Sequence, residues 1–101
     1  MNKDKVLQYL GLCRRANKLV MGESFVVEKI KNKKTYLVFL AKDAGYRTTK
    51  KIRDKTKFYN IKLIEEFNTI EINKAIGRKN IKVIGIIDNE FYKMIEKQLE
   101  I

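Results

Sequence analysis

The sequence predicts an α/β fold: a single three-layer α-β-α sandwich with a mixed, largely parallel central sheet. Segments with the apolar spacing of amphipathic helices alternate along the chain with short, continuous apolar runs. No two of these runs are joined by a hairpin turn, and the chain contains no proline. With 101 residues, 45 % of them hydrophobic, the chain can form one modest core, so we expect residues 1–101 to be a single domain.

The chain begins with a predicted helix and a very short strand. Apolar residues at helical spacing indicate the helix over residues 4–16; they are Val6, Leu7, Leu10 and Cys13. Asn17 closes this helix, because Asn tolerates the left-handed backbone conformation. Leu19–Met21 is the short strand, and it ends at Gly22.

A second helix follows directly. Glu23 and Ser24 suit its first turn, since Ser caps helices and Glu favours their positive end, and the helix stops near Asn32. Its apolar face is predicted to consist of Phe25, Val26, Val27 and Ile30.

The middle of the chain predicts a buried strand and a basic helix. Residues 36–41 form a continuous apolar run, which is typical of a strand covered on both faces. Residues 42–45 are the turn after it. A helix then spans residues 48–59, and its inner side chains are Ile52, Thr56 and Tyr59.

The last part of the chain continues the alternation. We predict a strand over residues 61–67, a helix over residues 69–76 that Gly77 closes, and a strand over residues 82–87. Asp88 caps the final helix. The inner side chains of that helix are Phe91, Ile95 and Leu99.

The net positive charge comes entirely from the first 60 residues. The chain has 23 Lys and Arg against 12 Asp and Glu, a net charge of +11. Residues 1–60 hold 16 of these cations against 5 acids, whereas residues 61–101 hold 7 of each. Such sorting is typical of a domain with a polyphosphate partner; a solvated lysine-rich surface is the alternative.

Composition argues against several other classes of protein. No apolar run approaches the roughly 20 residues that span a bilayer, and the first residues lack the apolar stretch of a signal peptide. We therefore expect a cytoplasmic protein without a membrane partner. The single cysteine, Cys13, excludes an internal disulfide, and without histidine a structural zinc site is not expected.

The motifs of common catalytic sites are missing. The chain has no histidine, no Gly-x-Ser-x-Gly and no glycine-rich phosphate loop, so we expect neither an enzyme nor a cofactor. Asp43 and Asp88 both follow strands, and two carboxylates at the ends of parallel strands could hold Mg²⁺ in an enzyme. Turn chemistry explains Asp43 equally well, and helix capping explains Asp88.

Short segments across essentially the whole chain resemble one family. They are Leu10-Gly11-Leu12, Arg15-Ala16, Lys18-Leu19, Gly22-Glu23, Leu37 to Ala44, Tyr59-Asn60 and Lys74-Ala75-Ile76-Gly77. Their composition and order resemble the bacterial YlxQ family. That family is a branch of the kink-turn-binding ribosomal proteins of archaea and eukaryotes, the L-seven-Ae and L-thirty-e type.

The resemblance implies RNA binding through one end of the sandwich. In the wider family a Gly-x-Asn-Glu-x-x-Lys motif opens the second helix and docks on a sharply bent RNA loop with G·A pairs. Gly22 matches the glycine, while Ser24 stands where Asn is usual, Phe25 where Glu is usual and Glu28 where Lys is usual. Ser24 can still form hydrogen bonds, Phe25 either packs in the core or stacks on a base, and Glu28 repels phosphates.

A second contact region in the family is the loop before the last strand, here the cationic Arg78-Lys79-Asn80. The RNA-binding residues that the resemblance implies are Gly22, Glu23, Ser24, Glu28, Lys31, Lys42, Arg78, Lys79 and Asn80. Arg14, Arg15 and Lys18 either flank the RNA-binding end or stabilise the negative end of the first helix, and the two roles can coexist.

The expected function is therefore non-catalytic binding of structured RNA by a monomeric protein. The expected partner is a kink-turn or ribosomal RNA, and the ribosome is a candidate assembly. Two alternatives stay open. One is a general, ribosome-associated basic RNA binder without kink-turn preference, and the other is a protein-interaction module that uses the neutral residues 61–101.

Overall fold

Five helices cover the two faces of a four-stranded sheet in the computed structural model, which describes residues 1–101. In chain order the elements are α1 (Lys3–Arg15), β1 (Leu19–Met21), α2 (Glu23–Lys31), β2 (Leu37–Leu40), α3 (Tyr46–Phe58), β3 (Lys62–Ile64), α4 (Thr69–Ile76), β4 (Val83–Ile86) and α5 (Asn89–Leu99). All nine predicted elements are present in the predicted order. No helix has the length and apolar character needed to cross a bilayer.

The sheet is mixed, but its pairing differs from the prediction. The strands lie in the order β1-β4-β2-β3. β2 and β3 are parallel, whereas β4 is antiparallel to both β1 and β2. The expectation of a largely parallel sheet is therefore wrong, because β4 occupies a central position and runs against both of its neighbours.

The segment before β4 explains this direction. α4 begins next to the edge of the sheet at which β2 and β3 end, and after only eight residues Gly77 closes it with φ +67°. The buried Asn73 side chain donates to the Ile81 carbonyl (2.8 Å) and accepts from the Ile81 N–H (3.0 Å). These bonds fold the loop back along α4, so the chain re-enters the sheet at the edge it left.

Both faces of the sheet are buried, which confirms the three-layer sandwich. Leu37 and Phe39 of β2 face a core formed with α1, α4 and α5. Val38 and Leu40, the alternate residues, face a second core formed with α2 and α3. Because successive side chains of a strand point to opposite faces, a strand covered on both sides must be apolar throughout.

Several local predictions are confirmed and three are corrected. Asn17 has the left-handed backbone, and Asp88 caps α5 by accepting from the Phe91 N–H. Ser24 does not cap α2, because the N-cap position is occupied by Gly22, which has no side chain to form the capping hydrogen bond. Phe25 is 64 % exposed, because the buried stripe of α2 is Val26 and Ile30. The predicted strand over residues 61–67 is shorter, Lys62–Ile64, and pairs with β2 only.

The single thiol belongs to the core. Cys13 is buried in α1, and its Sγ donates to the Lys18 carbonyl at 3.3 Å. Burial raises the pKa of the Cys13 thiol to about 12, and the charge of Asp88 adds to this. The thiol is therefore protonated at neutral pH and contributes packing rather than reactivity.

Gly11 allows α1 and α4 to approach closely, and we expect Gly11→Val to separate them. A Cβ at this position would lie 2.8 Å from the Ala75 carbonyl oxygen, a backbone atom that cannot move aside cheaply. Overpacking of this kind lowers the free energy of unfolding by about 2–3 kcal/mol. That exceeds the gain from replacing a helical glycine, which is at most about 1 kcal/mol.

Gly45→Val is the matched control. Its Cβ would meet nothing within 4 Å, and its φ of −64° suits any residue. We expect a loss of no more than about 1 kcal/mol there, from the weaker helix start. Urea unfolding followed by circular dichroism measures both variants. Equal losses would contradict the role of the α1–α4 contact.

Candidate nucleic-acid interface

Four connections of the sheet meet at one side of the molecule, which we call the loop edge. The Gly22 N–H donates to the Val83 carbonyl (3.0 Å), and the Lys42 N–H donates to the Phe67 carbonyl (2.9 Å). These bonds hold the end of β1, the end of β2 and the start of β4 together with the segment after β3. The loop edge comprises residues 22–25, 42–45, 65–68 and 77–82.

Gly22 has a backbone that few other residues could adopt. Its φ of +99° and ψ of 147° lie in a region that is strained for residues with a side chain. This conformation turns the chain from β1 directly into α2. The residue brings no side chain to cap α2, so the first-turn N–H groups have no side-chain acceptor.

The helices without side-chain caps both start at the loop edge. Asn2, Asn68 and Asp88 cap α1, α4 and α5 through their side chains. α2 and α3 begin instead at glycines, Gly22 and Gly45, and have no side-chain cap. Two neighbouring helix starts therefore offer unpaired N–H groups and positive potential on the same side of the molecule.

Glu23 connects these two helix starts. Its carboxylate accepts a hydrogen bond of 2.6 Å from the Thr48 hydroxyl and forms an ion pair of 3.2 Å with Lys51, both of α3. The hydrogen bond from Thr48, followed by that from Lys51, holds the pKa of Glu23 below its usual range. The Glu23 carboxylate is thus already paired with two side chains of α3, whereas the resemblance implies that it contacts RNA.

Asp43 fixes the turn that follows β2. One of its carboxylate oxygens accepts from both the hydroxyl and the N–H of Thr69, each at 2.8 Å. These two bonds, the hydroxyl first, lower the pKa of Asp43. The Lys82 ammonium in turn donates to the Thr69 hydroxyl (3.0 Å). The network joins the end of β2, the start of α4 and the start of β4.

A magnesium site shared by Asp43 and Asp88 is excluded by the sheet. Since β4 runs against β2, the residue after β4 lies at the sheet edge opposite the residue after β2. Asp88 is there the cap of α5. The magnesium hypothesis assumed parallel strands, and it is wrong for this reason.

The structure gathers most of the predicted contact residues at the loop edge. Seven of them belong to its four segments: Gly22, Glu23, Ser24, Lys42, Arg78, Lys79 and Asn80. All except Gly22 and Glu23 are exposed, and Asn80 has a left-handed backbone. The loop that carries Arg78 leads directly into β4 beside Gly22.

The other two predicted contacts lie along α2, away from its start. Glu28 is exposed in the middle of the helix, and Lys31 is its last residue. Eight residues of helix separate Glu23 from Lys31, a distance of about 12 Å. Lys31 is therefore outside the loop edge, because α2 runs away from it.

The first cationic segment also lies elsewhere. The Lys18 carbonyl accepts from the Ile87 N–H, at the end of β4 that is remote from Gly22. Arg14 and Arg15 occupy the last turn of α1, where they face the negative end of that helix. The idea that these three cations flank the loop edge is wrong for Lys18, and helix stabilisation accounts for the two arginines.

Sequence reasoning missed three residues at or next to the loop edge. Tyr46 and Arg47 begin α3, and the Tyr46 side chain is 80 % exposed. The sequence predicts that Lys82 begins the last strand, whereas in the structure Lys82 lies in the loop just before β4. An aromatic residue next to an arginine after a glycine turn is a signal that could have identified the first two.

Comparison with known proteins agrees with this architecture. Residues 4–96 match the ribosomal protein L7Ae/L30e/S12e/Gadd45 family. The RNA-binding protein YlxQ of Enterococcus faecium is 39 % identical over 99 residues, covering 98 % of this chain and 95 % of that protein. The RNA-binding protein YlxQ of Bacillus subtilis (strain 168) is 34 % identical over 82 residues, covering 81 % of this chain and 82 % of that protein.

Solved structures lead to the same fold. A protein of unknown function from Bacillus halodurans superposes with a TM-score of 0.89 at 36 % identity, covering 96 % of this chain and 98 % of that one. A 15.5kD RNA-binding protein of Giardia lamblia superposes with a TM-score of 0.83, covering 95 % and 82 %, and at 11 % identity it shows the fold alone.

The two YlxQ relatives are RNA-binding proteins rather than enzymes, in agreement with the expectation that this chain is not an enzyme. With a match over residues 4–96 and two relatives aligned along most of their length, the chain belongs to the ribosomal protein L7Ae/L30e/S12e/Gadd45 family and is YlxQ-like, which confirms the predicted resemblance.

Proposed function

We propose that this protein binds structured RNA of the kink-turn type at the loop edge, without catalysing a reaction. The observation that carries the proposal is the start of α2. There Gly22 opens an uncapped helix beside an exposed aromatic ring, Phe25. The names of the two YlxQ relatives support RNA as the partner.

The helix starts supply contacts for the RNA backbone. The N–H groups of the first turns of α2 and α3 lack side-chain caps, and a phosphate oxygen is a strong acceptor for them. The absence of a side chain at Gly22 lets the RNA approach the protein backbone. The Ser24 hydroxyl adds an exposed group able to reach a base edge or a sugar.

Phe25 replaces hydrogen-bond readout with stacking. Its ring lies beside Gly22, and the residue is 64 % exposed, so most of its surface is open to a ligand. An unpaired RNA base can stack on such a ring, and each stacked base contributes about 1–3 kcal/mol to binding. Kinked internal loops contain such unstacked bases, which regular duplexes do not.

Cations around the loop edge face the phosphates of the same RNA. Lys42, Arg78 and Lys79 are exposed, and Asn80 adds a polar contact. Electrostatic contacts of this type orient the RNA but do not read its sequence. We propose ribosomal RNA or a structured leader RNA as the target, bound in the cytoplasm by the monomeric protein.

A second candidate is a general RNA binder without kink-turn preference, and Glu28 favours it. This exposed carboxylate stands on α2 where the family resemblance implies a lysine, and it repels phosphates. The two candidates differ in one measurable property. A kink-turn binder prefers a bent RNA loop to a continuous duplex of equal length, whereas the general binder does not.

That preference is the first test. We expect a standard kink-turn RNA to bind at least about tenfold more tightly than a duplex of the same length without the bulge, since only the bent loop offers unstacked bases. Gel shift or filter binding at fixed salt measures both constants. Equal affinity for the two RNAs supports the general binder, and no binding to either supports the interaction module.

Gly22→Val should weaken kink-turn binding by at least about tenfold. A β-branched residue at φ +99° must shift the turn, so the first N–H groups of α2 move away from the RNA. The matched control is Asn60→Val, which strains a left-handed residue (φ +56°) at the end of α3 remote from the loop edge. If both variants lose affinity equally, general destabilisation rather than the Gly22 turn explains the loss.

Phe25→Ala should weaken kink-turn binding by roughly five- to a hundredfold, the effect of losing about one stacked base. Stability should change little, because the ring is exposed. Phe58→Ala removes an even more exposed ring, 80 %, from the last residue of α3 and should leave the affinity unchanged. Unchanged binding by Phe25→Ala would remove stacking from the proposal.

A further inference from the structure

α3 carries the densest charge of any element, and a groove runs along it. The helix has six Lys or Arg against one Asp. The groove has a volume of about 690 Å³ and is lined by Tyr46, by two acids, Glu23 and Asp54, and by four cations, Arg47, Lys50, Lys51 and Lys55. We call it the α3 groove. Of its lining residues only Tyr46 is hydrophobic.

The cations of the α3 groove lie in a row. Arg47, Lys51 and Lys55 recur every four residues and so lie along one side of the helix, next to the inner face that carries the buried Ile52 and Thr56. From the first to the third, the row is about 12 Å long. That length faces several successive phosphates of a nucleic-acid strand.

The cations of this row are available to a ligand. Arg47 and Lys55 form no ion pair with any acid of the protein. Lys51 pairs with Glu23, and its side chain is 53 % exposed. Solvent-exposed pairs contribute little to stability, so a phosphate can compete for Lys51. Arg47 and Lys55 are therefore the two free positive charges of the groove.

The α3 groove is continuous with the loop edge. Glu23 belongs to both, and Tyr46 begins α3 directly after the turn of residues 42–45. The geometry points to a second RNA contact: we propose that the α3 groove holds the sugar–phosphate backbone of a duplex stem that extends from the RNA bound at the loop edge. This inference rests on the proposed function and extends it, because it assigns the duplex stem of the same RNA to the basic helix α3.

The chemistry of the groove selects a duplex backbone over a protein partner. Protein interfaces have an apolar or aromatic centre, which one exposed tyrosine does not supply. A row of cations without base-reading groups is typical of contacts to phosphates, which are regularly spaced along a stem whatever its sequence. Binding here lengthens the interface and raises its salt dependence without adding sequence preference.

The test compares two kink-turn RNAs with the same loop and with short or long duplex arms. We expect the wild-type protein to bind the long-armed RNA about tenfold more tightly and with a steeper salt dependence. The double variant R47Q/K55Q should lose this gain. Its slope of log K against log salt on the long-armed RNA should fall by about 1.5, since each neutralised phosphate contributes roughly 0.7–0.9. Its affinity for the short-armed RNA should fall by much less.

K93Q/K97Q is the matched control, because it removes two cations from α5 on the opposite face of the sheet. It should retain the gain from long arms. An equal affinity of wild-type protein for the two RNAs overturns the inference, as does an equal loss by R47Q/K55Q on both. A separate result would contradict the proposed function: the wild-type protein would bind the short-armed kink-turn RNA no more tightly than a plain duplex.

Discussion

The reversal of the chain between α4 and β4 is the constraint on which the rest of the molecule depends. The Asn73 side chain forms two hydrogen bonds with the Ile81 backbone and a third with the Thr69 carbonyl, all in a buried position. If this amide were removed, the loop backbone would be left with unpaired polar groups, at a cost of about 1–3 kcal/mol each. The bonds send β4 back into the centre of the sheet, antiparallel to both neighbours.

This reversal decides which groups can act together. It brings the loop of Arg78 and Lys79 to the start of α2, about 60 residues earlier in the chain. It also moves Asp88 to the opposite edge from Asp43, where each carboxylate serves a helix start or a turn. The same topology therefore brings the exposed cations Lys42, Arg78 and Lys79 to one polar surface and separates the one pair of carboxylates that had suggested catalysis.

The loop edge presents two kinds of surface group with different physical origins. The uncapped helix starts and the exposed Lys42, Arg78 and Lys79 create positive potential, which salt screens. The exposed Phe25 offers an aromatic face, whose contacts do not depend on net charge. Glu28, an exposed carboxylate further along α2, adds negative potential on the same helix.

The sequence by itself determined the nine elements, the three layers and the family, because apolar periodicity and short motifs are local properties of the chain. Seven of the nine contact residues that the sequence predicted lie at the loop edge. Tertiary structure decided strand direction, since β4 pairs with β1 and β2, which lie far earlier in the chain. It likewise decided that Phe25 is exposed, that Glu23 is occupied by Thr48 and Lys51, and that Lys31 lies outside the loop edge. The exposure and the partners of a residue depend on neighbours that are distant in the chain, and the local sequence pattern does not specify these neighbours.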